Sequence, residues 1–196
     1  MNLDDRDQIF FSSCLVVGQF IELASSFYWL DNGRHDINGS VLVILGMVFW
    51  GVGFVGLFSM FRDKNPWYAR LGLLYAFYGI LGGIAFGFEG LYSQLFDVEK
   101  VGVEAFERFP TQMNLVLFWA GPAFPLSLIV LGVMIMVRKV LPWWIGLLIS
   151  IGGIAFPVSR ISRIAWVAHV ADLILLIPLI ALFWIAYSRS TQRQLA

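Results

Sequence analysis

Two carboxylates stand inside otherwise uncharged runs of this chain, and they are where chemistry would start. Glu22 interrupts the apolar stretch 9–30 and Asp172 the stretch 164–187. Ionisable groups at membrane depth are costly and tend to mark binding sites, proton relays or ion pairs. Along the first stretch Ser12, Gln19, Glu22 and Ser26 recur at helical spacing and form one polar stripe. In the last, Arg160, Arg163, Trp166, His169 and Asp172 recur every third residue. Such a row drifts around a helix, because three residues turn 300°. His169 with Asp172 then shares a face, and the carboxylate could hold the imidazole tautomer or share its proton. The structural alternative is an ion pair of Glu22 or Asp172 with Arg163 that ties two helices together.

The elements that must position these groups follow from composition. Of 196 residues, 59% are hydrophobic and 13% charged, and the mean hydropathy is +0.80. Soluble domains carry about 25% charged residues, so the chain belongs in a bilayer. A hydrocarbon core about 30 Å thick needs roughly 20 apolar helical residues. Six stretches qualify: about 9–30, 41–61, 67–88, 114–137, 141–158 and 164–187. The fold class is all-α, a polytopic six-helix membrane bundle forming one domain over 1–196. The segment 95–109, with Leu95, Val98, Val101, Phe106 and Phe109 between charges, reads as an amphipathic helix lying at the outer interface. As a lid over an outward-facing cavity it would have a sharper role.

Lys and Arg in the loops set the orientation. One side collects Arg6, Arg62, Lys64, Arg70, Arg138, Lys139, Arg189 and Arg193; the other Arg34, Lys100, Arg108, Arg160 and Arg163. Eight against five places both termini in the cytoplasm. The acidic start, Met1 to Asp5, lacks the basic region and cleavage site of a secretory signal, so the first span is expected to be retained.

With this topology Glu22 and Asp172 each lie about 12 Å below the outer surface, at 1.5 Å per residue. The Gly121-Pro122-Ala123-Phe124-Pro125 run falls about 11–17 Å from the same surface. Its prolines are expected to kink or open the fourth helix there. Glu89, Asn114, Arg160, Arg163 and His169 would sit above this level. The candidate ligand- or proton-binding set is therefore Glu22, Gln19, Glu89, Asn114, Arg160, Arg163, His169 and Asp172.

Other chemistries lack support in the residues. Thirteen Lys and Arg balance thirteen Asp and Glu, which gives no basic surplus for nucleic acid. Cys14 is the single cysteine, and His35 and His169 are the two histidines, so neither metal nor haem ligands are spaced for binding. No lysine falls inside a span, and no Gly-x-Ser-x-Gly, P-loop or paired-cysteine motif appears. No cofactor is expected.

The third and fifth spans share a pattern. Pro66-Trp67, Gly72-Leu73-Leu74 and Gly82-Gly83-Ile84-Ala85-Phe86 parallel Pro142-Trp143, Gly146-Leu147-Leu148 and Gly152-Gly153-Ile154-Ala155-Phe156. Spans two and three would be one hairpin, repeated in parallel as spans four and five; transporters often carry internal repeats. The row Gly72, Ala76, Gly79, Gly83 and Gly87 suits close helix packing and is assigned no chemistry.

From Phe118-Trp119 through Pro125-Leu126, Leu131-Gly132, Leu141-Pro142, Gly146-Leu147-Leu148, Gly152-Gly153 and Phe156, the C-terminal half resembles the DUF4386-like group of six-span bacterial membrane families. The resemblance covers residues 115–185 and implies six helices in a bacterial inner membrane; it transfers no activity. The residues themselves favour a protein that binds or carries a small molecule, lipid or proton at an outward-facing polar pocket. An accessory or scaffold subunit packed on partner helices is the alternative, and an intramembrane lipid-modifying enzyme the third. The expected partners are the bilayer, a small hydrophobic or amphipathic ligand, and another membrane protein or a second copy of the chain.

Overall fold

The computed structural model describes residues 4–30, 34–96, 104 and 107–195. Every regular element in them is helical, apart from an isolated antiparallel bridge between Trp29 and His35. Six helices are long and apolar enough to cross a membrane. They are α1 (Asp5–Ser25, continued by a 3-10 turn Ser26–Tyr28), α2 (Ile37–Ser59), α3 (Pro66–Phe96), α4 (Pro110–Arg138), α5 (Trp143–Ser162) and α6 (Ala165–Leu195). Asp4 caps α1 by accepting from the Asp7 N–H at 2.8 Å, and Asp36 caps α2 by accepting from the Gly39 N–H at 2.7 Å.

Each helix packs on its neighbours in sequence, and α6 returns against α1 to close a ring. Glycines set the spacing. Gly79 and Gly82 of α3 lie against the backbone of α4 at Phe124 and Ala120, and Gly132 of α4 meets Gly146 of α5. The two Gly-Gly pairs do equivalent work. Gly82 faces the following helix α4 and Gly83 the preceding helix α2, at Met47; Gly152 faces the following helix α6, at Leu175, and Gly153 the preceding helix α4, at Leu128 and Ile129. The ring's interior is filled by large side chains, with Trp50, Phe54, Phe124 and Phe156 in tilted and edge-on contacts at 5.2–5.9 Å.

One of the two outcomes expected at the prolines of the fourth span, an opening at Gly121–Pro125, does not occur, because Ala120–Arg138 is continuous helix through Pro125. The irregularity sits one turn earlier, where Asn114–Phe118 forms a wide turn and the Trp119 N–H donates to the Asn114 carbonyl at 2.8 Å. Phe118, the last residue of this turn, carries the carbonyl that Pro122, four residues on, cannot hydrogen-bond. Pro178 likewise leaves α6 unbroken. In the segment 95–109 expected to be an amphipathic helix, Leu95 and Phe96 complete α3, Glu104, Glu107 and Arg108 are helical, and residues 97–103, 105 and 106 lie outside the described residues.

Candidate functional site

The polar stripe of α1 faces inward as its spacing requires: Ser12, Gln19, Glu22, Ser25 and Ser26 are all buried. Ser25 and Ser26 return their hydroxyl protons to the carbonyls of Glu22 and Leu23, each at 2.7 Å, so neither is left unsatisfied by burial. Glu22 stands six residues from the end of its span and Asp172 seven from the start of α6, both about 10 Å deep. Glu22 is 1% exposed and Asp172 0%. The packing of α1 on α6 sets them side by side, because Gln19 and Ser26, which flank Glu22, contact Asp172 and His169. Gln19 ties the two helices at this level, its amide donating to the Asp172 main-chain carbonyl at 3.0 Å.

The carboxylates are satisfied unequally. Arg160 Nη2 donates to Asp172 Oδ1 at 3.4 Å, a long, single contact next to the two-point pairs at about 2.8 Å that guanidinium and carboxylate can make. Asp172 Oδ2 and Glu22 Oε1 are buried and accept from nothing within the chain. Glu22 Oε1 rests against α2 where Gly46 leaves room, 2.6 Å from the position of a Cβ there. One turn deeper the buried indole N–H of Trp50 also donates to nothing. Buried polar atoms without partners are uncommon and call for explanation.

A cap closes the cluster on its near end. Arg160 lies over the Phe156 ring at 4.1 Å and near the Trp29 ring at 5.6 Å. Trp29 Nε1 donates to His35 Nε2 at 3.0 Å, and the opposite nitrogen, Nδ1, faces the Ser25 carbonyl at 3.2 Å. An acceptor role for Nε2 makes Nδ1 the protonated nitrogen, so His35 is the neutral Nδ1–H tautomer. Burial, and then the Arg160 charge, push the His35 pKa down to about 4.

His169 stands beside the carboxylates but serves another contact. Its Nδ1 is 2.7 Å from Ser26 Oγ, and its ring stacks on Phe27 at 4.1 Å. Because the Ser26 proton already goes to Leu23, His169 Nδ1–H is the donor. The expected hydrogen bond between Asp172 and His169 is thus replaced by one across helices to α1.

The candidate set divides accordingly. Gln19, Glu22, Arg160 and Asp172 come together, with His169 at their edge. Asp172 pairs with Arg160 and not with Arg163: α5 ends at Ser162, and Arg163, which is exposed, takes a left-handed conformation (φ 54°) just beyond it. Arg160, still on the helix, makes the ion pair instead. Glu89 and Asn114 lie half-buried on α3 and α4, across the ring from α6 and α1, and stand apart from the cluster. Trp29, His35, Gly46 and Trp50 belong to the site's surroundings and were not in the candidate set. Their only sequence signal is a Trp and a His flanking a short loop between two spans.

A hollow of about 320 Å³ opens on the outer side of α1, and its lining is Phe20, Leu23, Ala24, Phe27 and Tyr28. Among the described residues no three His, Cys, Asp or Glu side chains are grouped as metal ligands would be. No protein family, no curated protein and no solved structure matches this chain.

Proposed function

We propose that this chain is a membrane carrier for a small solute, with the Glu22–Asp172–Arg160 cluster as its binding centre. The observation that carries the reading is the pair of buried, partnerless oxygens, Glu22 Oε1 and Asp172 Oδ2. A purely structural ion pair would be expected to use its oxygens, because an unmet buried acceptor costs about 1–3 kcal/mol. A site that receives a ligand keeps acceptors open for it. The helix ends that surround the cluster also suit a change of access, since side chains of Trp29, His35 and Arg160 cap it.

The excess of Lys and Arg on the opposite end, with exposed Trp67, Trp143 and Trp144 there, supports placing both termini in the cytoplasm of a bacterial cell and the cluster toward the outer face of its inner membrane.

A carrier must open the cluster to water, whereas a scaffold keeps it shut. Ser25 is 0% exposed and one turn from Glu22. In a Cys14→Ser background, Ser25→Cys should react with a membrane-impermeant maleimide in proteoliposomes of the full chain. No reaction under any condition that leaves the protein folded would exclude a carrier and leave the scaffold reading.

A further inference from the structure

Charge is spread unevenly around the end of the bundle where α1 begins and α6 ends. At those two helix ends Asp4, Asp5 and Asp7 offset Arg6, Arg189 and Arg193. Across the ring, where α3 begins, α4 ends and α5 begins, Lys64, Arg70, Arg138 and Lys139 stand with Asp63 as the one carboxylate among the described residues there. Asp5 and Arg62 have interactions of their own. Setting both aside leaves an excess of one cation on the α1–α6 side and three on the α3–α5 side. An orientation signal needs cations at one end of a bundle, and does not require them on one side of it.

The backbone holds this gathering in place. Lys64 Nζ donates to the Arg138 carbonyl at 2.9 Å and to the Lys139 carbonyl at 3.1 Å, which ties the α2–α3 loop to the α4–α5 loop. Lys139 ends α4 in a left-handed conformation (φ 51°), a position that helices usually give to glycine. A cation therefore stands where backbone geometry alone favours no side chain. Lys64, Arg138 and Lys139 are all exposed. An exposed apolar stripe, Leu126, Val130, Val133 and Val137, runs along α4 and ends at Arg138, with exposed Trp143 and Trp144 beside it at the start of α5. Indoles favour the headgroup level of a bilayer.

We propose that this sector is a docking surface for an anionic phospholipid, with the headgroup phosphate on Lys64, Arg138 and Lys139 and an acyl chain along the α4 stripe. Basic groups between helix ends are suited to such headgroups. An acidic protein segment would meet the charge, but it would leave the apolar stripe that leads into the cations unused. The assignment stands apart from the carrier reading, because it involves none of that cluster's residues.

The test is thermal unfolding of the purified full-length protein in a non-ionic detergent, titrated with phosphatidylglycerol, phosphatidylcholine or inorganic phosphate. Phosphatidylglycerol should raise Tm saturably, and phosphatidylcholine and inorganic phosphate should not. Added salt should weaken the effect, because the cations are exposed and screened. Lys139→Gly relieves the left-handed turn, so its Tm without lipid should be unchanged or higher. Its Kd for phosphatidylglycerol should nevertheless rise about fivefold, the scale of one basic side chain at an anionic surface. Arg6→Gln, on α1 across the ring, should leave that Kd unchanged. Equal stabilisation by phosphatidylcholine would overturn the assignment, as would an equal shift from inorganic phosphate, which marks an anion site with no use for the chains. Equal losses in Lys139→Gly and Arg6→Gln would overturn it in favour of diffuse charge. No shift with any lipid would overturn it too and leave an acidic protein segment as the occupant.

Discussion

Oε1 of Glu22 lies 2.6 Å from the point that a Cβ on Gly46 would occupy. The carboxylate and the missing side chain are one feature, a polar group on α1 set into a notch in α2. Gly46→Ala should push the carboxyl out of the notch and destabilise the protein by about 1–3 kcal/mol, the usual range for overpacking. Pairing it with Glu22→Ala should recover most of that loss, which a double-mutant cycle in thermal or denaturant unfolding would read.

The small-residue rows predict a contrast between glycines. A Cβ on Gly79 would fall onto the Phe124 and Ala123 backbone of α4, whereas one on Gly51 meets Phe77 and Ile80 at 3.4 and 3.9 Å. Backbone cannot step aside as a side chain can. Gly79→Ala should therefore cost about 1–3 kcal/mol and Gly79→Leu should abolish folding. Gly51→Ala should be neutral, or stabilising by a few tenths of a kcal/mol through helix propensity. Equal melting temperatures for the two alanine variants would show that close helix approach does not set the ring.

The spans were legible because charge is so scarce here: Glu22 and Asp172 stand out against apolar surroundings, and their inward faces follow from the positions of Gln19 and the serines. Depth was legible too, since counting residues from each span end puts both carboxylates at one level. What failed turned on where helices stop. Arg160 and Arg163 are three residues apart, and choosing between them requires knowing that α5 ends at Ser162. The helix runs on through Pro122 and Pro125, and the irregular turn lies upstream at Asn114–Phe118, where no proline stands to announce it. Glu89 and Asn114 were grouped by depth alone, and depth does not tell which side of a ring a helix occupies. The Trp29–His35 bridge spans a loop and has no periodicity to betray it.

His35 predicts a pH dependence with a definite sign. Its pKa is about 4 in the folded protein against an ordinary 6.5, so between these values the unfolded chain binds a proton that the folded one refuses. Stability from His35 is complete above about pH 6.5, falls as pH drops toward 4, and levels off below. His35→Gln should flatten that part of a Tm-against-pH curve. An unchanged slope would mean that the Trp29–His35 contact does not hold the cap.

Orientation is testable at loops away from the cluster. Single cysteines at 63 and 107, in a Cys14→Ser background, should label from opposite sides of the membrane, with 63 on the cytoplasmic side. Labelling of both from one side would remove the six-span topology and the shared depth of Glu22 and Asp172 with it.

The two carboxylates should respond differently to neutralisation. Glu22 has Gly46 for a neighbour and no donor at Oε1, so burial works against a negative charge there. Asp172 has Arg160 at 3.4 Å on Oδ1. Removing a buried charge that lacks a partner relieves desolvation, and removing one member of a pair strands the other. Glu22→Gln should accordingly leave Tm unchanged or raise it, by the equivalent of about 1 kcal/mol. Asp172→Asn should lower it modestly, because Arg160 is part-exposed and keeps its contacts with Phe156 and Trp29. Arg160→Gln should cost more than Asp172→Asn, since it removes the cation that Asp172 pairs with and leaves that buried carboxylate alone. A ranking in which Glu22→Gln is the most damaging of the three would mean that Glu22 is a structural post, and the binding centre would then have to be sought elsewhere in the ring.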